Sequence, residues 1–264
     1  MSFIKHSMSE YVVLADCDVI TNMDFKPIVN QHAQTGADIT VVTHTGTYYA
    51  DDIKKSTVLN TDDDGNVKSV LIQPDLSGTC TTSLNIFVMK KDFLIDMISD
   101  SMSRGNVSFE RNILQEKCGE LKIKTYEYSQ YFSKITNFQS YFKANMELLN
   151  SENAKCLYPP RKPIYTKVSD NAPAKYDLDC SVKNSMVADG CIIEGEVENS
   201  ILFRGVKVGK GAKVKNCILM QGTEVGDNAE INYLITDKNV KISEKHILTS
   251  AESYPMYVGK GASV

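Results

Sequence analysis

Two hydrophobic patterns divide the chain, and the change falls near residue 150. Before it, short apolar runs alternate with segments of helical spacing. A β-branched run at residues 11–15 predicts a buried strand. Asp24 is placed to cap a helix that begins at Phe25, and Gly36 is placed to end it before a strand at residues 38–43. Strand, helix and strand in this order predict an α/β domain with a parallel sheet.

Further elements continue this domain. The turn residues 62–65 lie between two short β-like runs and predict a hairpin. The other predicted elements are strands at residues 57–60, 67–72, 83–88 and 121–127, helices near 92–102 and 109–118, and a closing helix within 138–149.

The last third of the chain repeats with a period close to three hexads. Residues 187–193, 208–214 and 225–231 share one pattern: apolar, small, polar, polar, small, any, apolar. A second series begins at Asn184, Asn199, Asn216 and Asn232. Hexads with one inward aliphatic residue suit the flat faces of a triangular coil, so we predict a left-handed parallel β-helix of hexapeptide repeats. An antiparallel β meander, which also alternates, is the alternative.

Prolines separate the two patterns. Pro159, Pro160, Pro163 and Pro173 disfavour regular structure between them. We therefore expect an α/β domain at residues 1–150, a proline-rich linker at 151–180 and the β-helix at 181–264.

Composition narrows the possible functions. A net charge of −4 without a basic stripe argues against a nucleic-acid partner. Seven cysteines without a C-x-x-C pair and four dispersed histidines indicate neither a disulfide framework nor a zinc site. No apolar run approaches the roughly 20 residues that a membrane span needs. We expect a cytoplasmic protein with no membrane partner.

Two carboxylates follow the first predicted strand. Asp16 and Asp18 stand where open parallel sheets bind ligands, and Asp18 could hold Mg²⁺ together with waters and substrate phosphates. The alternative is that both are polar residues that end the strand.

The segment around these carboxylates resembles bacterial glucose-1-phosphate adenylyltransferases, which make ADP-glucose for glycogen. The resemblance rests on residues 12–25, 82–88 and 141–149 and on the β-helix, and it covers nearly the whole chain. It implies a Rossmann-like nucleotidyltransferase domain, ATP and glucose 1-phosphate as substrates, and Mg²⁺ as cofactor. It places Asp18 on the family's magnesium-binding aspartate and Ser83 in the glucose pocket.

Three positions depart from the family pattern. Gln73 replaces the lysine that holds the sugar phosphate, and a neutral amide is a poor partner for a dianion. Ser108 replaces an aspartate that supplies a second metal carboxylate, which leaves Glu110 as a displaced candidate. Lys134 stands where the family carries an aspartate, so the charge is reversed there.

The family's glycine-rich, arginine- and lysine-containing loop is absent from the sequence, although nucleotidyl transfer needs amides and cations around the triphosphate. We expect that an N-terminal region is missing and that the α/β domain is incomplete there. The three substitutions match the family's D-type subunit, which is regarded as regulatory or weakly active.

Three hypotheses follow. The first is a regulatory subunit in a hetero-oligomer with a catalytic homologue. The second is an active adenylyltransferase that relies on Asp16, Asp18 and Glu110. The third is a hexapeptide-repeat acyltransferase; it needs a histidine base on a coil, but the coils predicted between residues 182 and 242 contain none.

Overall fold

The structure is a computed structural model that describes residues 2–166, 168 and 170–264, without the side chain of Asp51. The chain forms two compact units, residues 1–132 and 133–264.

The first unit contains a six-stranded sheet and its flanking helices. In chain order its elements are α1 (Ser2–His6), β1 (Tyr11–Ala15), β2 (Val19–Ile20), α2 (Phe25–Thr35), β3 (Ile39–Tyr48), α3 (Ala50–Ile53), β4 (Thr57–Thr61), β5 (Val67–Ile72), β6 (Gly78–Lys90), α4 (Lys91–Arg104), a π-helix (Glu110–Gln115) and β7 (Ile123–Glu127).

Strand β6 organises the sheet. The strand order is β5-β4-β6-β3-β7, and β1 pairs with β6 beside this path. Both β1 and β3 run antiparallel to β6, whereas β3 and β7 are parallel. The sheet is mixed rather than parallel as predicted, because β6 lies between β1 and β3 and is antiparallel to both.

Side chains alternate between the two faces of the sheet, so both faces bury a core. On one face Val41 and Phe87 pack with Leu94 and Met97 of α4. On the other face Val42 and Val88 pack with Ile28 of α2. The result is a three-layer α/β arrangement that leaves strand ends free to form a site.

Local sequence signals placed several elements correctly. The Asp24 carboxylate accepts a hydrogen bond from the Lys26 N–H at 3.1 Å, and Gly36 ends α2 in the left-handed conformation. Strands β4 and β5 form the predicted antiparallel hairpin. The segment predicted as a helix at 109–118 is a π-helix followed by a turn.

The second unit begins with two helices and continues as a solenoid. Its elements are β8 (Ser133–Lys134), α5 (Phe138–Glu147), α6 (Ser151–Leu157), β9 (Lys175–Tyr176), β10 (Ser181–Lys183), β11 (Met186–Val187), β12 (Ile192–Ile193), β13 (Glu196–Glu198), β14 (Ile201–Leu202), β15 (Lys207–Val208), β16 (Lys213–Lys215), β17 (Ile218–Leu219), β18 (Glu224–Val225), β19 (Glu230–Asn232), β20 (Leu234–Thr236), β21 (Lys241–Ile242), β22 (Ile247–Thr249) and β23 (Met256–Val258).

These short strands stack into three five-stranded parallel sheets. Residues one coil apart share a column, as Val197, Val214 and Ile231 do on one face. All three are buried, and columns from the three faces join in one aliphatic core. The predicted hexapeptide-repeat β-helix is confirmed.

The phase of the repeats differs from the prediction at two places. Tyr233, not Asn232, follows Asn216 in the corner column, because Lys215 pairs with Asn232 and Ile218 pairs with Ile235. The repeat at residues 187–193 connects a different pair of faces from the repeats at 208–214 and 225–231. Similar short sequences occur at more than one corner of the coil, so matching them by sequence alone assigned them to the wrong corner. This explains both differences.

Helix α5 covers one outer face of the solenoid. Ile218 and Ile235 are almost completely buried there against Phe142 of α5. Asn137 caps this helix by accepting a hydrogen bond from the Ser140 N–H at 2.7 Å. The closing helix predicted from the sequence therefore belongs to the second compact unit. The domain limits at residues 150 and 180 remain a prediction, since compact units and domains need not coincide.

Candidate functional site

The end of β1 and a bulge in β6 bring two polar side chains together in the first unit. The Asp16 N–H donates to the carbonyl oxygen of Asn85 at 3.2 Å. The Asn85 side-chain amide donates to the Asp16 carboxylate at 2.9 Å. This pair of hydrogen bonds fixes Asp16 directly beyond the strand.

Asn85 itself was not identified from the sequence. Its φ is +55°, and the pairing of β3 with β6 shifts at the same point, between Val42 and Thr43. Its N–H donates to Ser83 Oγ at 3.0 Å. The available sequence signal was an asparagine inside a run of strand-forming residues. Asparagine is unfavourable in a regular strand and so indicates a bulge, and bulges are frequent beside functional sites.

A cleft of about 510 Å³ opens beside this pair. Leu14, Phe87 and Leu94 give it mostly apolar walls, and Asp16, Asn85 and Ser108 contribute polar groups. Such a combination of apolar walls and a few polar groups is typical of small-ligand sites.

The start of the π-helix places Ser108 and Glu110 differently. The Ser108 hydroxyl accepts a hydrogen bond from the Arg111 N–H at 3.2 Å and so caps the helix. The Glu110 carboxylate accepts a hydrogen bond from the Thr57 hydroxyl of β4 at 2.8 Å. Ser108 lines the cleft, while Glu110 is held against the neighbouring strand.

The other residues predicted for the site do not line this cleft. Asp18 is half-buried two residues beyond Asp16, and Ser83 is buried, with its hydroxyl accepting the Asn85 N–H. Gln73 is exposed after β5, with φ +50° and its N–H bonded to the Ser56 carbonyl oxygen. Lys134 belongs to the second unit.

The donors at the cleft fit Mg²⁺ only in part. Asn85 Oδ1 is a buried oxygen without a hydrogen-bond partner among the described residues, and Asp16 adds a carboxylate. Within the described ranges, no three His, Cys, Asp or Glu side chains form a metal cluster. Since Mg²⁺ is often held by one or two carboxylates together with substrate phosphates, these donors suit an ion that arrives with substrate rather than a resident one.

The β-helix contains a histidine that the acyltransferase hypothesis had placed beyond its coils. His246 lies between β21 and β22, and its carbonyl oxygen accepts the Glu230 N–H at 2.8 Å. The stacked strands continue through β22 and β23, so the prediction that His246 follows the coils is wrong, although residues 182–242 contain no histidine.

Across the part of the chain that the structure describes, no helix combines the length and the apolar character of a membrane span.

Comparison with known proteins connects both units to one group of sequences. A family model described as "GlmU-like, C-terminal hexapeptide" matches residues 171–251. The "Glycogen biosynthesis protein GlgD" of Bacillus subtilis (strain 168) is 35% identical over 261 residues, which are 99% of this chain and 66% of the relative. The GlgD protein of Geobacillus stearothermophilus is 33% identical over 81% of this chain and 52% of the relative.

Another relative is named as an enzyme. The "Glucose-1-phosphate adenylyltransferase" of Clostridium perfringens (strain 13 / Type A) is 30% identical over 220 residues, 81% of this chain and 55% of the relative. Most of the chain is therefore similar both to GlgD proteins and to a glucose-1-phosphate adenylyltransferase. It spans between half and two thirds of the length of these relatives.

Proposed function

We propose that this chain acts as a regulatory subunit of glucose-1-phosphate adenylyltransferase in glycogen biosynthesis. Similarity to two proteins named for glycogen biosynthesis supports the pathway, and similarity to an adenylyltransferase supports the reaction. In this reaction an oxygen of the sugar phosphate attacks the α-phosphate of ATP, ADP-glucose forms and pyrophosphate leaves.

The arrangement at the π-helix carries the regulatory part of the proposal. Ser108 stands where the family resemblance expects a metal-binding aspartate, and its hydroxyl caps the helix instead. Glu110, the candidate replacement, is engaged by Thr57. A magnesium ion that arrives with nucleotide would then have Asp16 and Asp18, beyond the end of β1, and few other anionic groups to contact.

Gln73 supports the same interpretation at the sugar phosphate. An amide in place of an ammonium removes a charge-assisted interaction, which is worth about 1.5–3 kcal/mol. We therefore propose that the chain holds glucose 1-phosphate weakly and that its catalytic homologue performs the turnover, with the cytoplasm as the compartment and a hetero-oligomer as the working form.

Co-production with a catalytic homologue tests the regulatory role. We expect the two chains to co-purify and the activator response or turnover of the homologue to change. Two variants of this chain indicate whether the lost charges matter. Gln73→Lys should strengthen glucose 1-phosphate binding about tenfold or more, because it restores a charge-assisted interaction with the phosphate. Ser108→Asp should strengthen Mg²⁺ binding, because it adds a carboxylate. An unchanged homologue without co-purification would refute the proposal.

The active-enzyme alternative has its own readout. Pyrophosphate release by the purified chain alone, abolished by Asp18→Asn, would establish catalysis by this chain. The half-buried position of Asp18 at the strand end is the observation that keeps this alternative under test.

A further inference from the structure

A groove in the second unit runs between α5 and one corner of the β-helix. It has a volume of about 660 Å³, within the range of small-ligand sites. The corner column Asn184, Asn199 and Asn216 lines one side, while Lys143 and Glu147 of α5 line the other.

The three asparagines have a structural role that does not account for the groove. Their φ angles are +42°, +46° and +48°, and asparagine tolerates this left-handed conformation better than other side chains. Asparagine side chains on successive coils can also hydrogen-bond to one another in an amide ladder, which would pair the polar groups of the column without a ligand. A complete ladder would leave little hydrogen-bonding capacity for a ligand.

The ladder is interrupted in the middle. Asn184 donates to Asn199 Oδ1 at 2.7 Å, and Asn216 donates to Asn232 Oδ1 at 2.9 Å. No hydrogen bond joins Asn199 to Asn216 within the described part of the chain. The Asn199 amide therefore retains donors and Asn216 retains a carbonyl acceptor, both on half-buried side chains at the groove.

The residues that line the groove do not provide a net positive charge. Lys143 lies 4.0 Å from the Glu147 carboxylate, and Glu252 adds a further negative charge. A phosphate or nucleotide would meet more carboxylates than ammonium groups. Neutral ligands with many hydroxyls suit the wall better, because amides both donate and accept hydrogen bonds, as hydroxyls do.

Apolar side chains complete the groove. Phe142, Met146 and Leu149 contribute its apolar part, and Tyr233 continues the asparagine column. A sugar ring has an apolar C–H face and hydroxyl groups around its rim. The C–H face suits the apolar side chains of the groove, and the hydroxyls suit the asparagine amides. Neighbouring coils are spaced by about 4.8 Å, so the edge offers polar groups at a regular interval.

We propose that this groove binds a neutral oligosaccharide through Asn199 and Asn216. The inference rests on the groove alone, so it stands or falls separately from the regulatory role.

Calorimetric titration of the whole chain with maltotriose, cellotriose and chitotriose tests the inference. At least one trisaccharide should bind, and the double variant Asn199→Gly/Asn216→Gly should bind it about thirtyfold more weakly, since two hydrogen bonds of roughly 1 kcal/mol each are lost. Glycine keeps the left-handed corner accessible, so the fold should persist. Asn228→Gly is the matched control, with φ +54° and no place in the groove.

Two results would overturn the inference. One is that none of the three sugars binds at millimolar concentration, and the other is that the double variant and the control bind equally well. Inorganic phosphate, titrated in parallel, should leave sugar binding unchanged. Displacement of the sugar by phosphate would assign the groove to anions and would also contradict the proposal.

Discussion

Single residues decide how closely the coils of the β-helix stack. A Cβ atom added at Gly226 would lie 2.6 Å from the Glu244 nitrogen and 2.9 Å from the Ile242 carbonyl oxygen. Backbone atoms of the next coil cannot move aside as a flexible side chain can. Gly259, in the same motif position of the last coil, has no neighbour within 4 Å of such a Cβ.

Gly226→Ala should therefore destabilise the protein by about 1–3 kcal/mol through overpacking. The matched variant Gly259→Ala should leave the free energy of unfolding within about 0.5 kcal/mol of wild type. Denaturant unfolding of both variants measures the difference, and equal losses would show that coil spacing is not the cause.

Asp62 gives the β4–β5 turn a dependence on pH. Hydrogen bonds from Asn66 and Lys68 hold the pKa of its carboxyl well below the usual range. Because the folded-state pKa is lowered, the stabilisation is present above the unfolded-state pKa near 3.9 and is lost as the pH falls toward the folded-state value.

Asp62→Asn should lower the melting temperature at pH 7, and its deficit should shrink as the pH falls below about 4. Asp63→Asn, at an exposed position in the same turn, is the matched control for the loss of one carboxylate. Melting temperatures from pH 7 to pH 2.5 provide the comparison; a deficit that stays constant would assign the effect to something other than the charge.

At the scale of elements, rules that use only neighbouring residues correctly predicted the features that contacts between neighbouring residues determine. The cap at Asp24, the stop at Gly36 and the hairpin turn followed from residue types alone. The bulge at Asn85 and the π-helix did not, because each depends on the neighbouring strands. The Asp16–Asn85 pair was missed for the same reason: its partners are 69 positions apart in the sequence.

Helix α5 offers a test of packing between elements. Phe142 is 4% exposed against Ile218 and Ile235, whereas Phe138 is 56% exposed and stacks on Tyr257. Phe142→Ala should lower the free energy of unfolding by about 3–5 kcal/mol, and Phe138→Ala should lower it much less. Chemical denaturation measures both, and similar losses would contradict the packing described for α5.

At the scale of the whole molecule, the repeat period predicted the solenoid, but not which unit the closing helix joins. Amphipathic spacing shows that α5 has an apolar face; it cannot show which surface that face covers. The outward isoleucines that receive it are part of the same repeats that build the core, so periodicity alone could not separate the two roles.

The seven thiols report on the folded state of the complete chain. Cys17 and Cys156 are exposed, while Cys191 and Cys217 are buried. Burial raises the pKa of the Cys217 thiol to about 12, which suppresses its thiolate. Iodoacetamide at pH 8, followed by peptide mass analysis, should modify the exposed pair first and the buried pair only after unfolding. Early modification of Cys217 would contradict the closed core.

The last coil differs from the others in length, because residues 250–255 lie between β22 and β23 while the paired strands on either side keep their register. The extra residues at this corner therefore form a loop that does not disturb the pairing of the strands. An epitope or a fluorescent reporter inserted at this corner should leave the solenoid intact, which would make the folded chain visible in living cells.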